Sequence, residues 1–160
     1  MNENTKPLDK IDRNILRALQ QDGRISNVDL AKAINLSPTP CLERVRRLEK
    51  NGYIKGYKAE LDPNKLDQSL MVFVQVKLDH TTNDVFDELK NWVKRSPEVT
   101  ECHMVAGGYD YLLKIRVKDM TAYRRMLGEE LTSLRGVTTT STYVVMEAVK
   151  EGNDIHVPNS

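Results

Sequence analysis

The sequence predicts an α+β protein in two parts, three helices with a small hairpin first and a strand-rich sheet after. Three observations predict it. Apolar residues recur at helical spacing behind capping residues up to Asn51, whereas from residue 71 strand-like alternation trades places with helical stripes. A polar stretch without periodicity, residues 62–68, separates the two patterns. Charge divides at the same place. Residues 1–60 hold 12 Lys and Arg against 8 Asp and Glu, and residues 61–160 hold 12 against 15, so a +4 part precedes a −3 part. Such asymmetry suggests a polyanion-binding part joined to one with another task.

The 160 residues are 39% apolar and 29% charged, an ordinary globular composition. No apolar run approaches the roughly 20 residues of a membrane span. The start, MNENTKPLDK, has no apolar signal core, so the expected compartment is the cytoplasm, with no membrane partner. Cys41 and Cys102 form no C-x-x-C pair, and His80, His103 and His156 no HExxH pattern, so neither a metal nor a cofactor is expected.

Asp9 is placed to cap the first helix, with Asp12 three positions on. Ile11, Ile15 and Leu19 follow at intervals of four with Leu16 alongside, and Asp22-Gly23 stops the helix. Ser26-Asn27-Val28-Asp29 has the S-x-x-D form and opens a short second helix that buries Val28, Leu30, Ala31 and Ile34. The third helix begins in 37-SPTPC-41, capped by Ser37 or by Thr39, with Pro38 and Pro40 confined to the first turn. Its expected apolar stripe is Leu42, Val45 and Leu48 with Cys41 nearby. Arg44, Arg46 and Lys50 flank the stripe, and Pro40, Glu43 and Arg47 point away. Asn51-Gly52 ends it, and residues 53–61 read as two short strands about a tight turn.

In the second part Val72, Val74, Val76 and Leu78 alternate along a half-buried strand. Val85, Phe86, Leu89, Trp92 and Val93 mark a helix over 84–95. Strands at 99–106 and 109–117 meet at Gly107-Gly108. Asp119 caps another helix, and 138–149 forms the last strand. The order β-α-β-β-α-β is the ferredoxin-like arrangement. The sheet face away from the helices carries Met71, Phe73 and Gln75 and is too apolar to stay wet, so a homodimer is expected. The tail from Glu151 is polar and expected to fray.

Two short helices around a tight turn describe a helix-turn-helix, whose second helix lies in the major groove of double-stranded DNA. The starts of the helices at Ser26, Asn27, Ser37, Pro38, Thr39 and Pro40, with Lys50, are candidate backbone contacts. Arg44 and Arg47, with Glu43 and Arg46 beside them, are candidates at base edges, and Lys55 and Lys58 would form a wing on the phosphates. The alternative is a three-helix module whose charged face is merely solvated.

The strings IDRNIL, DGRISN, LSPTPCLERVRRLE, DYLLK and TYVVMEAVK carry a resemblance to the Lrp/AsnC (feast/famine) family of transcriptional regulators, over roughly residues 8–150. The resemblance implies a winged helix-turn-helix at 1–61, a linker at 62–70, a ferredoxin-like ligand-sensing and oligomerisation domain at 71–150, and a tail at 151–160. It implies dimers that assemble into octamers on DNA, nucleoid association, and control of amino-acid metabolism genes. It further implies an amino-acid effector, often leucine, at the contact between dimers.

An amino acid needs an anion for its ammonium, donors for its carboxylate and an apolar pocket. In 106-AGGYD-110, Asp110 suits the ammonium and Gly107-Gly108 bare their amides, while Ala106 and Tyr109 complete the hairpin. Thr139, Thr140 and Thr142 suit the carboxylate. Met104, Met120, Tyr143, Val144 and Val145 match the family's response region. The same residues are also an ordinary turn and ordinary strand residues. Ala106 lacks the hydroxyl frequent in relatives and Met104 is longer than a branched aliphatic, which brings methionine into competition with leucine as effector. Two tests are expected to report on this reading: Arg47→Ala weakening DNA binding with assembly intact, and Asp110→Ala abolishing the amino-acid response. No enzyme is expected, because Cys102 and His103, adjacent on a strand, face opposite sides.

Overall fold

The computed structural model describes residues 7–80, 82–152 and 154–159; residues 1–6, part of the polar start discussed above, lie outside it. The chain divides into two compact units, Met1–Glu60 with Glu151–Ser160, and Leu61–Lys150.

The first unit is built on α1 (Lys10–Gln21), α2 (Asn27–Ala33) and α3 (Pro38–Lys50). Asp9 caps α1 in a reciprocal box: its carboxylate accepts from the Asp12 amide at 2.8 Å, and Asp12 accepts from the Asp9 amide at 3.2 Å. Ser26 caps α2, accepting from the Asp29 amide at 3.1 Å. Asn35 reverses the chain at φ 56°, a left-handed conformation that asparagine tolerates. Ser37 is the cap of α3, settling the choice left open by the sequence, but its side chain makes no cap hydrogen bond. The prolines explain why. The first turn's N–H groups have no partners within a helix, and Pro38 and Pro40 lack two of them. Ile15, Leu30, Ala31, Ile34, Cys41 and Leu48 form the core, whereas Val28, expected on the buried side of α2, is exposed.

Two expectations fail here. Residues 53–61 form no strands. An isolated two-stranded hairpin is marginal in water, and side chains hold this segment instead. Tyr57 donates to Glu49 Oε1 at 3.0 Å, and its ring lies where a side chain at Gly23 would touch it. Desolvation, aided by the Glu49 carboxylate, pushes the Tyr57 phenol up to about 12. The tail does not fray either, because Arg13, Arg17 and Gln20 of α1 bond its backbone.

The second unit runs β1 (Leu70–Leu78), α4 (Asn83–Arg95), β2 (Val99–Met104), β3 (Tyr111–Val117), α5 (Met120–Glu129) and β4 (Val137–Val144). The sheet order is β2-β3-β1-β4 with every neighbour antiparallel. Val72, Val74, Val76 and Leu78 alternate into a core shared with Leu89, Trp92, Leu113, Ile115, Tyr123 and Leu131. Asp119 caps α5 by accepting from the Ala122 amide at 2.9 Å. β4 ends at Val144 rather than at 149. Its last tie to β1 is the Val145 amide to the Met71 carbonyl at 3.0 Å, one residue from the start of β1 at Leu70.

Candidate nucleic-acid and effector sites

The inward face of α3 is turned from the one the sequence suggested. Cys41 (0% exposed) and Leu48 (1%) lie at its centre, whereas Leu42 is 37% exposed. The stripe Cys41, Val45, Leu48, at intervals of four and three, and the stripe Leu42, Val45, Leu48, at three and three, both fit a helical face, so periodicity alone did not separate them. The deciding partner is Asp12, only 1% exposed on α1. Arg47 Nη2 donates to both its oxygens, at 2.7 and 2.6 Å, and Arg44 Nη1 bridges Asp12 at 2.8 Å and Asp9 at 2.6 Å. A buried carboxylate needs such partners. Arg44 and Arg47, expected as free donors for bases, are therefore engaged in packing α3 on α1, and the placing of Arg47 on the far side of the helix is corrected.

What remains outward on α3 is Ser37, Pro38, Thr39, Leu42, Glu43, Arg46, Glu49 and Lys50, all exposed; Pro40 is half-buried. Leu42 is the residue the sequence reading assigned to the core. Asn27 Nδ2 donates to the Pro38 carbonyl at 2.8 Å and ties the start of α2 to the start of α3. Ser26 is occupied by Asp29, to which its hydroxyl donates at 2.6 Å. Lys55 and Lys58 are exposed.

The Asp12 amide, and behind it the Arg44 guanidinium, hold the Asp9 carboxyl below its usual range in spite of partial desolvation. A depressed carboxylate stabilises the fold above its unfolded pKa and ceases to do so as pH falls through the folded value. The first unit is therefore expected to weaken on acidification below about pH 3.8. Asp9→Asn should flatten that dependence, read from urea midpoints across pH.

The candidate effector residues fall into two groups. Met104, Tyr111, Val76 and Thr140 lie in one row across all four strands. The loop 105–110 caps this row: the Val105 amide donates to the Asp110 carbonyl at 3.0 Å, and the Asp110 amide to the Val76 carbonyl at 2.9 Å. Asp110 Oδ2 accepts from the Leu78 amide at 2.7 Å. Met104, Ala106, Gly107, Tyr109, Asp110, Thr139 and Thr140 thus share one end of the sheet. Met120 opens α5 directly after β3, and Tyr143, Val144 and Val145 close β4, so these four share the other end. Val72 and Val76, which mark the two ends on β1, are four residues apart, about 13 Å at strand rise. One chain does not bring all eleven residues together.

Gly107 and Gly108 differ from the tight two-residue turn expected of them. Neither sits at positive φ, and a Cβ on either would meet nothing within 4 Å. Neither backbone strain nor internal crowding in this chain calls for glycine there. On β2, Cys102 packs toward the core and burial pushes its thiol up, while His103 faces Glu101 at 3.2 Å on the other side. This is the reverse of an activated nucleophile.

A family model of winged helix-turn-helix DNA-binding domains matches residues 8–55, and one of the Lrp/AsnC ligand binding domain matches residues 71–155. The chain is 60% identical over 148 residues to the leucine-responsive regulatory protein of Klebsiella pneumoniae, covering 92% of this chain and 90% of that one. The leucine-responsive regulatory protein of Escherichia coli matches with the same figures. Among solved structures, a transcriptional regulator of Neisseria meningitidis in complex with L-Met matches with a TM-score of 0.90 at 33% identity, covering 94% of this chain and 97% of that one. An AsnC family regulator of Agrobacterium tumefaciens matches with 0.88 at 32%, covering 93% and 97%.

Proposed function

The chain belongs to the Lrp/AsnC family of transcriptional regulators, and from that premise we propose how its two units divide the work. The first unit reads DNA and the second senses an amino acid. α3 enters the major groove, led by Ser37, Pro38 and Thr39, with Leu42, Glu43 and Arg46 toward the bases and Lys50 toward phosphate. Arg44 and Arg47 act at one remove, fixing the helix on Asp12. Ser26, Asn27 and Pro40 shape the approach, and Lys55 and Lys58 meet the backbone beside the groove. The observation that carries this reading is that Arg46 and Lys50 stay outward on a helix whose other arginines are taken up inward. Arg46→Ala is expected to weaken binding to a duplex from a target promoter about tenfold and to lower the salt slope by about 1, with folding unchanged. An unaltered affinity at several salt concentrations would remove α3 from the interface.

For the second unit we propose an apolar amino acid, leucine or methionine, bound over the loop 105–110. Leucine is the effector named for the Klebsiella relative, and L-Met is the molecule bound in the Neisseria structure. Asp110 holds the ammonium, the loop amides with Thr139 and Thr140 hold the carboxylate, and Met104 covers the side chain. The unexplained openness around Gly107 and Gly108 supports a ligand approaching the backbone there. Met120, Tyr143, Val144 and Val145 complete the pocket from another dimer, since their own copy holds them at the far end of its sheet. Dimers form through the sheet face bearing Phe73 and Gln75, both half-buried, beside Met71, which its own chain already buries, and assemble to octamers. The chain works without catalysis, in the cytoplasm on nucleoid DNA, at genes of amino-acid metabolism.

Asp110→Asn tests the site more cleanly than Asp110→Ala, because the amide oxygen still accepts from Leu78 while the charge is gone. Calorimetry with L-leucine and L-methionine is expected to show affinity falling at least tenfold, with assembly intact. An unchanged isotherm would rule Asp110 out.

A further inference from the structure

The α1 face carrying Arg13, Arg17 and Gln20 has no part in the helix packing or in the groove-reading surface, yet it is fully engaged. The three residues recur at spacings of four and three, so they line one stripe. A segment without helix or strand, residues 155–159, lies along it. Gln20 meets Ile155 at two points: its Nε2 donates to the Ile155 carbonyl at 2.9 Å, and its Oε1 accepts from the Ile155 amide at 3.0 Å. A primary amide reproduces the donor and acceptor of a neighbouring strand, which is why glutamine suits this role. Arg17 Nη2 then donates to the carbonyls of Val157 at 2.9 Å and Pro158 at 3.1 Å and to Asn159 Oδ1 at 2.6 Å, while Asn14 Oδ1 accepts from its Nη1 at 2.9 Å. Arg13 Nη1 adds a second donor to the Pro158 carbonyl at 3.2 Å. Guanidinium forks suit consecutive carbonyls, and Pro158 offers a carbonyl without an N–H and holds its φ extended.

We infer that this stripe is a receptor for the chain's own C-terminal segment, which makes that segment a strap between the two units. The chain crosses from one unit to the other at Glu60–Leu61 and again at Lys150–Glu151. The second crossing follows six residues after the end of β4 at Val144, and the chain beyond it is anchored on α1. Recognition is mostly of backbone, so the contact depends on Arg17 and Gln20 more than on the identity of the tail residues. The functional half of the inference, that the strap relays effector binding at β4 to the DNA-binding unit, rests on the function proposed above. The docking half does not.

The test places cysteines by Gln21→Cys, exposed beside the stripe, and Ile155→Cys, in a Cys102→Ser background in which Cys41 stays buried, and treats the full chain with a short bis-maleimide. A cross-link within one chain is expected, and Arg17→Ala should slow its formation at least tenfold. No cross-link, or a product joining two chains, would overturn docking on the chain's own α1. The second arm ends the chain after Lys150 by a stop codon. DNA binding should persist and its change on adding L-leucine or L-methionine should shrink at least threefold. A full response in that variant would overturn the relay. Amino-acid binding measured directly by calorimetry distinguishes that result from failure of the effector reading itself.

Discussion

Asp12→Ala is expected to cost the first unit about 3 kcal/mol of stability and, with it, DNA binding, while leaving the second unit intact. The size follows from the residue's surroundings. Its carboxylate is the shared acceptor of Arg44 and Arg47, and its removal leaves two neighbouring cations of α3 against α1 with Asp9, on Arg44, as their one remaining carboxylate partner there. Breaking a buried ion pair costs about 3–5 kcal/mol. The lower end applies because the side chains of Arg44 and Arg47 remain 24% and 33% exposed and can regain water. The chain has one tryptophan, Trp92, and it lies in the second unit, so its fluorescence follows that unit's unfolding alone. Amide exchange in α1 and α3 follows the first. Exchange in α1 and α3 should accelerate about 100-fold, 1.4 kcal/mol being a factor of ten, with the Trp92 transition unmoved. Arg47→Ala should resemble a weaker Asp12→Ala, losing DNA binding through loosened helix packing; Arg46→Ala should lose it with packing intact. Native exchange rates in Asp12→Ala would show that the cluster holds nothing together.

That contrast marks where the sequence was legible. Local signals carried far. The Asp9 and Asp12 box, the caps at Ser26 and Asp119 and the alternation Val72, Val74, Val76, Leu78 each announce an element whose cause lies within a few residues, and the βαββαβ order follows from them. The misreadings involve partners distant in sequence. Asp12 read as half of a cap, and nothing nearby showed that it also receives two arginines more than thirty residues on. The wing was read as two short strands about a tight turn, but no third strand covers it and Tyr57 does the holding. The tail looked polar and therefore loose, although polar residues on α1 were there to take its backbone. At the candidate effector site the residue types were visible in the sequence. Their separation to opposite ends of the sheet was not, because it depends on the register of β1 against β4.

Gly136→Ala is expected to cost the second unit about 2–5 kcal/mol. Two independent costs combine. Gly136 sits at φ 82°, which disfavours any side chain by about 1–2 kcal/mol. The added Cβ would also stand 2.6 Å from Val85 Cγ1, 3.1 Å from Val85 Cγ2 and 3.3 Å from Asp79 Oδ1. Val85, on the buried face of α4, is 3% exposed, so it cannot swing clear, and overpacking of this kind costs about 1–3 kcal/mol. Shifting the backbone instead would strain the bond from the Asp79 amide to the Gly136 carbonyl, 2.9 Å long, which joins the ends of β1 and β4. The two costs separate in a double-mutant cycle. Val85→Ala removes the clashing methyls and leaves the dihedral cost untouched. The pair should therefore be less destabilised than the sum of the single changes by about 1–3 kcal/mol, read from urea unfolding by Trp92 fluorescence. Strict additivity would mean that the dihedral alone sets the cost. Because β4 begins at Val137, the next residue, a displaced Gly136 shifts Thr139 and Thr140 relative to the loop 105–110. Amino-acid affinity should fall in Gly136→Ala even where the unit remains folded, and recover in part when Val85→Ala is added.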